Sequence, residues 1–554
     1  MYQEIPNKYK EKSQNFKILK KDLKDGINSY EEFLIYREDN QFKIFDRKCD
    51  HAGGKLISTN KGKIICPMHK WEFDPTTNLY SNNVEKNTIN FIDGTDYLDF
   101  NIIEEELVLP NYISEKNLEI SFLNHACLIF ESKDFKFATD PWVLGSAFAN
   151  GWWLKYESPD NSIEQLNSCD FIFISHSHPD HLHEESLSYI RKDMLFYTTD
   201  FETKSSEQHL RSLGFKNIEL LKHDYGYTEK EKEFYISPLK SGDFRDDSGF
   251  ILKYGSFSAL INVDTNFINF FKLPNEVTFM ASTFASGASG FPLCFDNIDL
   301  HEKNKILKLN RNSTKKINEN LIKKVSPKYF MPYAGFFDEA SERDIFIKEN
   351  NQKNKIKDYE YLEDKYNLEL LNVEKLQFYK FIGDKLTESK GGLLPENQSL
   401  NQTEKTELFK NTYNTIENEF IVDYFVSSNF KKDFNLLIDL TDDNFNSLEQ
   451  IKINFYHDSK PKVTFVENNK ISEFSNNFNT LHLKIRKDVF VYTLKNLMPW
   501  EDILIGFQVR INRSPNVYNT DFWFHFSNIY TKHNASRIAN ECNGCDLLKF
   551  SLVR

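Results

Sequence analysis

Two short loops near the N-terminus constrain this chain more than any other feature in it. The first reads Cys49-Asp-His51-Ala-Gly53-Gly54, and the second reads Cys66-Pro-Met-His69-Lys-Trp71. Each loop offers one thiolate and one imidazole. Zinc modules of the Cys₂His₂ type pair Cys with Cys and His with His, whereas here the two residue types are interleaved. Interleaving suits a [2Fe–2S] cluster in which Cys49 and Cys66 hold one iron while His51 and His69 hold the other. Gly53 and Gly54 let the backbone turn closely around the sulfides. Short β-rich runs surround these loops from residue 17 to about 110, among them FLIYRED, FKIFDR, TINFI and LDFNII, each bounded by turn residues.

That ligation defines a Rieske centre, and residues 1–112 read as an all-β Rieske domain. A second metal loop follows in a different setting. Phe171-Ile-Phe-Ile174 is a short apolar strand running into Ser175-His176-Ser-His178-Pro-Asp180-His181. An H-x-H-x-D-H loop at a strand end is the signature of the metallo-β-lactamase fold. Its imidazoles and carboxylate suit borderline ions such as iron and zinc. Strand-like and helix-like runs alternate over 113–340, as expected of a layered α/β domain. Asp264 follows the strand SALINV and is the natural bridging carboxylate. Asp140, at the end of FKFAT, is expected to orient a ligand rather than bind metal. His183 reads as exposed and His125 as a strand-end residue facing the metal pocket, or else a structural histidine. A histidine is expected before the strand pair leading to Asp264, but KSGDFRDDSGF has none. Spacing favours Asp243 as its replacement, with Asp246 and Asp247 as alternatives. His176, His178 and Asp243 then form a two-His-one-carboxylate set, the arrangement of mononuclear non-haem Fe(II) oxygenases. The late strand KYFMPYAGFF also lacks the final histidine of dinuclear hydrolases, which favours one iron over two zincs. His125, His176, His178 and Asp243 are the candidate catalytic residues, and His176, His178, Asp180, His181, Asp243 and Asp264 the candidate metal ligands.

Residues 341–411 are polar and rich in Lys, Asn and Glu, and read as a helical connector. Residues 412–554 read as a smaller α+β domain ending in Cys542-Asn-Gly-Cys545. A net charge of −13 argues against nucleic acid or an anionic membrane as partner. No apolar run is long enough to span a bilayer. Seven cysteines scattered over 554 residues do not form a disulfide framework, so a reducing, cytoplasmic setting is expected.

The chain resembles the CMP-N-acetylneuraminate hydroxylases, which join a Rieske domain to a metallo-β-lactamase-like domain in this order. The resemblance runs through NHAC at 124–127, DPWVLGSAFANGWWL at 140–154 and the H-x-H-x-D-H loop. It continues in FASGASGFP at 284–292, MPYAGFF at 331–337 and IGFQVRINRSPNVYNTDFWFHF at 505–526. It implies hydroxylation of the N-acetyl group of a CMP-linked sialic acid with O₂ as co-substrate. Electrons would come through a cytochrome b5-like protein or a ferredoxin and its NAD(P)H reductase. Asp243 departs from the family's histidine, and the Cys542/Cys545 pair lies outside the pattern. An anionic nucleotide sugar calls for cationic donors such as Arg510 and Arg513. Backbone N–H groups around Ser289 and Gly290 are a further candidate contact. Residues 510 and 513 lie on opposite faces of a strand, so one pocket holds both only if the strand ends there. The competing readings are an oxygenase of another N-acyl or amine compound, and a metal hydrolase that leaves the cluster idle.

Overall fold

The computed structural model describes residues 2–30, 32–50, 56–58, 63–65, 71–81, 83–201, 203–242, 245–397, 400–466, 478–516 and 519–533. His51, Gly53, Gly54, Cys66, His69, Asp243, Cys542 and Cys545 lie outside the described residues.

The N-terminal unit is built from small antiparallel sheets. A long ribbon pairs Lys8–Leu19 with Tyr97–Val108, and a second sheet joins Gly26–Ser29, Phe33–Glu38 and Gln41–Asp46. A third is made of Ile57–Ser58, Ile64–Ile65, Glu72–Asp74 and Leu79–Tyr80. Cys49 is buried against Trp71, Phe73 and Tyr80. Its loop is fastened by the buried Lys86 ammonium, which donates to Asp46 at 2.8 Å, Asp50 at 3.1 Å and the Lys48 carbonyl at 2.7 Å.

The central unit is a sandwich of two sheets, each of eight strands among the described residues. One sheet runs Ile218–Leu221, Leu195–Thr199, Phe171–Ile174, Lys136–Thr139, Cys127–Glu131, Asn117–Asn124, Phe378–Ile382 and Lys385–Lys390. The other contains Phe234–Lys240, Ser248–Tyr254, Phe257–Val263, Phe279–Thr283 and Tyr329–Tyr333. Phe130, Phe137, Phe171, Phe250, Leu260 and Met280 interdigitate between them. Helices Ser162–Asn167, Glu184–Ser188 and Ser205–Ser212 cover the outer face of the first sheet through a separate cluster around Ile172, Leu187 and Leu210. Strands buried on both faces need apolar residues at every position, which is why FIFI shows no alternation.

Two expectations about boundaries need correction. Residues 341–411 are not simply a helical connector: Glu369–Leu370 extends one sheet, and Phe378–Ile382 with Lys385–Lys390 extends the other. Glu369–Leu370 and Lys385–Lys390 are edge strands, while Phe378–Ile382 is paired on both sides and Lys380 interrupts its apolar run FYKFI. The N-terminal boundary also shifts, because Gln3–Pro6 pairs with Tyr225–Glu229 of the central sandwich.

The C-terminal unit is α+β, with a five-stranded sheet among the described residues in the order Lys462–Val466, Ser447–Phe455, Phe434–Thr441, Thr480–Arg486 and Val509–Ser514. Helices Asn418–Ser427, Lys487–Lys495 and Trp500–Ile505 pack on it around Phe425, Phe490 and Trp500. No helix among the described residues is long and apolar enough to cross a membrane.

Candidate metal centre

The chain places its candidate metal-binding side chains at the carboxyl ends of sandwich strands. Ile174 ends one strand and delivers His176, Val263 delivers Asp264, Thr139 delivers Asp140, and Asn124 delivers His125. Three groups of donors result: His176, His178 and Asp247; His176, His181 and Asp264; and His125, Asp180 and His181. In each group the donor atoms lie within 4.8 Å of one another.

The supporting hydrogen bonds fix which nitrogen of each ring is offered. Asp140 is fully buried; its Oδ1 accepts the Ser175 backbone N–H at 2.8 Å and its Oδ2 lies 3.1 Å from His181 Nδ1. His181 thereby presents Nε2. Ser175 Oγ sits 2.9 Å from His176 Nδ1, so His176 also presents Nε2. The Nε2 atoms of His176 and His181, Asp180 Oδ1 and Asp264 Oδ1 are all buried without a hydrogen-bond partner. Orphaned donor atoms converging from several elements fit a cation, since burying them bare costs free energy that coordination recovers.

Electrostatics runs in opposing directions across the site. Burial and the neighbouring imidazoles hold His176 well below the usual imidazole range. Burial also opposes charge on His178, but Glu501 outweighs it and raises that ring to about 9. Burial is likewise outweighed for the pair His181 and Asp180, whose mutual attraction raises the imidazole and lowers the carboxyl. Burial drives Asp502, next to Glu501, well above the carboxylate range.

Of the candidates, His125, His176, His178, Asp180, His181 and Asp264 come together, while Asp243 lies outside the described residues. Asp247 is the carboxylate that joins His176 and His178. His183 is not exposed as expected: its Nδ1 accepts from Ser186 N at 3.1 Å, capping the helix that starts at Glu184, and its Nε2 donates to the Ser146 carbonyl at 3.0 Å. Trp142 packs 4.9 Å from the His125 ring, whereas Trp152 stacks on Phe337. Arg510 stacks over Phe445 and donates to the carbonyls of Phe507 and Val509, and Arg513 lies over Phe295. Gly290 packs on Asn351. The Ser289 carbonyl accepts from Asn310 Nδ2 at 2.9 Å, and these partners of Arg510, Arg513, Ser289 and Gly290 include none of the candidate metal donors.

Two residues at the site were not found from the sequence. Arg245 reaches Asp247 Oδ2 at 3.0 Å and donates to the Asp264 carbonyl at 3.0 Å. Glu501 approaches His178 Nε2 at 3.8 Å from the C-terminal unit. The docking that brings Glu501 there is tight: a Cβ on Gly151 would lie 2.2 Å from the Gly506 carbonyl oxygen, and Trp152 Nε1 donates to the Ile505 carbonyl at 3.0 Å.

Residues 9–91 match the family model of the Rieske [2Fe-2S] domain, and residues 119–237 that of the beta-lactamase superfamily domain. Over 91% of its length the chain is 28% identical to the cytidine monophosphate-N-acetylneuraminic acid hydroxylase of Cricetulus griseus, covering 95% of that protein. The match to the enzyme of the same description from Mus musculus is also 28% over 91% of this chain, covering 93% of the relative. This chain is a relative of those hydroxylases. Its N-terminal unit is a Rieske domain, and its central sandwich is a metallo-β-lactamase-like domain. Among solved structures, an isothiocyanate hydrolase from Delia radicum gut bacteria aligns with a TM-score of 0.34 at 15% identity, covering 49% of this chain and 100% of that one.

Proposed function

We propose that this relative of the hydroxylases is a Rieske-dependent monooxygenase that hydroxylates the N-acetyl group of CMP-N-acetylneuraminate. The observation that carries the reading is the presence, in one chain, of a Rieske domain and of a buried set of orphaned imidazole and carboxylate donors. His176, His178 and Asp247 would hold a single non-haem Fe(II). Bound there, iron supplies the O₂ activation that no side chain provides, with electrons stored one at a time in the [2Fe–2S] cluster.

The chain's own residues do the rest. Asp140 and Ser175 hold the histidines in register, so the donors need no rearrangement to bind. Trp142 and Phe148 wall the site with apolar surface that excludes water. Arg245 places a guanidinium beside Asp247, where it meets an anionic group of the substrate. Arg510 and Arg513, with Ser289 and Gly290, are the proposed contacts for the nucleotide end. Glu501, beside His178, would hold or pass a proton at its carboxylate. A cytochrome b5-like protein or a ferredoxin, served by an NAD(P)H reductase, supplies electrons in the cytoplasm.

The test is mass spectrometry of CMP-N-acetylneuraminate incubated with the iron-loaded protein, ¹⁸O₂ and a reductant. Gain of one labelled oxygen on the acyl group is expected. Release of CMP without labelled acyl product would replace this reading with a hydrolase.

A further inference from the structure

A further set of donors lies on the outer face of the first sheet, apart from the centre around His176. Glu184 opens the helix Glu184–Ser188, and His209 lies in the helix Ser205–Ser212. His533 meets them from the C-terminal unit, and its ring stacks on that of His209 with centroids 3.6 Å apart and planes 18° from parallel. Both imidazoles are buried, at 2% and 5% exposure, whereas the Glu184 side chain is 39% exposed. One carboxylate oxygen of Glu184 and one nitrogen of each ring lie within 4.8 Å of one another.

From this geometry we propose that Glu184, His209 and His533 bind a structural Zn(II) ion that fastens the C-terminal unit to the sandwich. Two imidazoles and a carboxylate are a donor set that zinc takes at about 2.0–2.2 Å, with water in the fourth position. Donors at that range stand about 3.4 Å apart around a tetrahedral ion, and the more exposed Glu184 side chain is the member able to close the set. Burial holds both rings below the usual imidazole range, so each is neutral and has a lone pair to give. His209 Nε2 lies 2.9 Å from Glu184 Oε1, and its Nδ1 is buried with no hydrogen-bond partner among the described residues. A hydrogen bond to Glu184 therefore uses one ring nitrogen and leaves the other unmet. Zinc binding at Nε2 moves that proton to Nδ1 and puts the metal where the hydrogen bond was. Lys532 Nζ, 3.0 Å from the same carboxylate oxygen, competes with the ion, but its side chain is 32% exposed and can turn to solvent.

The position of these three residues gives the ion a task. Glu184 directly follows His183, the cap of its helix, which stands two residues after His181 of the histidine loop. His533 ends a segment that holds Glu501. In that segment Ser527 Oγ accepts the Glu501 N–H at 3.0 Å, and the Lys532 N–H donates to the Leu497 carbonyl at 2.7 Å. A cross-link between Glu184, His209 and His533 thus ties the end of the histidine loop to the segment that sets Glu501 beside His178.

The experiment counts zinc and does not depend on hydroxylation. Full-length protein, with its cluster and the His176 centre already loaded with iron, is equilibrated with Zn(II), dialysed free of loose metal and assayed for zinc per chain. Wild type is expected to keep one zinc more than His533→Phe, a variant that preserves a ring over His209 but offers no donor. His533→Cys replaces the imidazole by a thiolate and should keep the zinc. Loaded with Co(II) instead, this variant should show a thiolate-to-metal charge-transfer band that wild type loaded in the same way lacks. Equal zinc in wild type and His533→Phe would overturn the proposal, because phenylalanine serves a purely structural stack as well as histidine does. So would the absence of the band in His533→Cys, a result that decides the matter even if His533→Phe fails to fold.

Discussion

Replacing Asp140 by Asn isolates what a buried carboxylate behind a ligand contributes to metal binding. Asp140 is fully buried and uses both oxygens, one for the Ser175 N–H and one for His181 Nδ1. Asn keeps an acceptor for Ser175 but turns an amide donor toward the ring, which disfavours the tautomer that presents Nε2 to metal. Outer partners of ligating histidines are worth about 10–100-fold in affinity. At ~1.4 kcal/mol per decade, that is about 1.4–2.8 kcal/mol of binding free energy. Asp140→Ala goes further and strands the Ser175 N–H in the core, adding about 1–3 kcal/mol of lost folding stability. Competition against a chelator of known affinity measures the first effect, and urea denaturation measures the second. Metal affinity in Asp140→Asn within about threefold of wild type, ~0.6 kcal/mol, would refute the claim that Asp140 orients His181. Equal stability of the Asn and Ala variants would refute the claim that it satisfies Ser175.

Cys66→Ser should abolish the electron paramagnetic resonance signal of the reduced cluster while leaving the iron of the sandwich in place. In wild type that signal should titrate at a potential within roughly −150 to +300 mV. Asp247→Ala should lose the iron held with His176 and His178. Measuring Asp243→Ala beside it decides which carboxylate replaces the missing histidine, and full iron in Asp247→Ala would return that role to Asp243. Arg486, buried and paired with the equally buried Asp344, joins the C-terminal sheet to the segment before it. Arg486→Met should destabilise that unit by about 3–5 kcal/mol because it leaves the Asp344 charge unpaired, whereas unchanged denaturation would mean the pair is dispensable.

What the sequence disclosed followed the range of each signal. The H-x-H-x-D-H loop is legible because a strand end and a handful of residues determine it, and Asp264 is legible because it follows an apolar strand by one position. The choice between Asp243 and Asp247 is not, since they stand four positions apart in the sequence and either offers a carboxylate. His125 was legible as a strand-end residue facing the metal pocket or as a structural histidine; its approach to Asp180 depends on the hairpin turn after Asn117–Asn124 meeting the loop after Phe171–Ile174. Glu501 lies over three hundred residues from His178, and nothing local marks a helix that docks through Gly151 and Gly506. The strands between 369 and 390 were hard to read because Glu369–Leu370 is only two residues long, Lys380 interrupts FYKFI, and the edge strand Lys385–Lys390 is mostly polar or charged.

The pairing of Gln3–Pro6 with Tyr225–Thr228 has a consequence for synthesis. This strand precedes the Rieske domain in the sequence but belongs to the second domain, and its partner is made more than two hundred residues later. At about 5–20 residues per second, the strand waits roughly 10–45 s for that partner. During this interval the long ribbon of the Rieske domain already has both of its strands. Pairing of residues 3–6 with the sandwich then ties the two domains together. Deletion of residues 3–6 would therefore be felt in the sandwich rather than in the domain they precede.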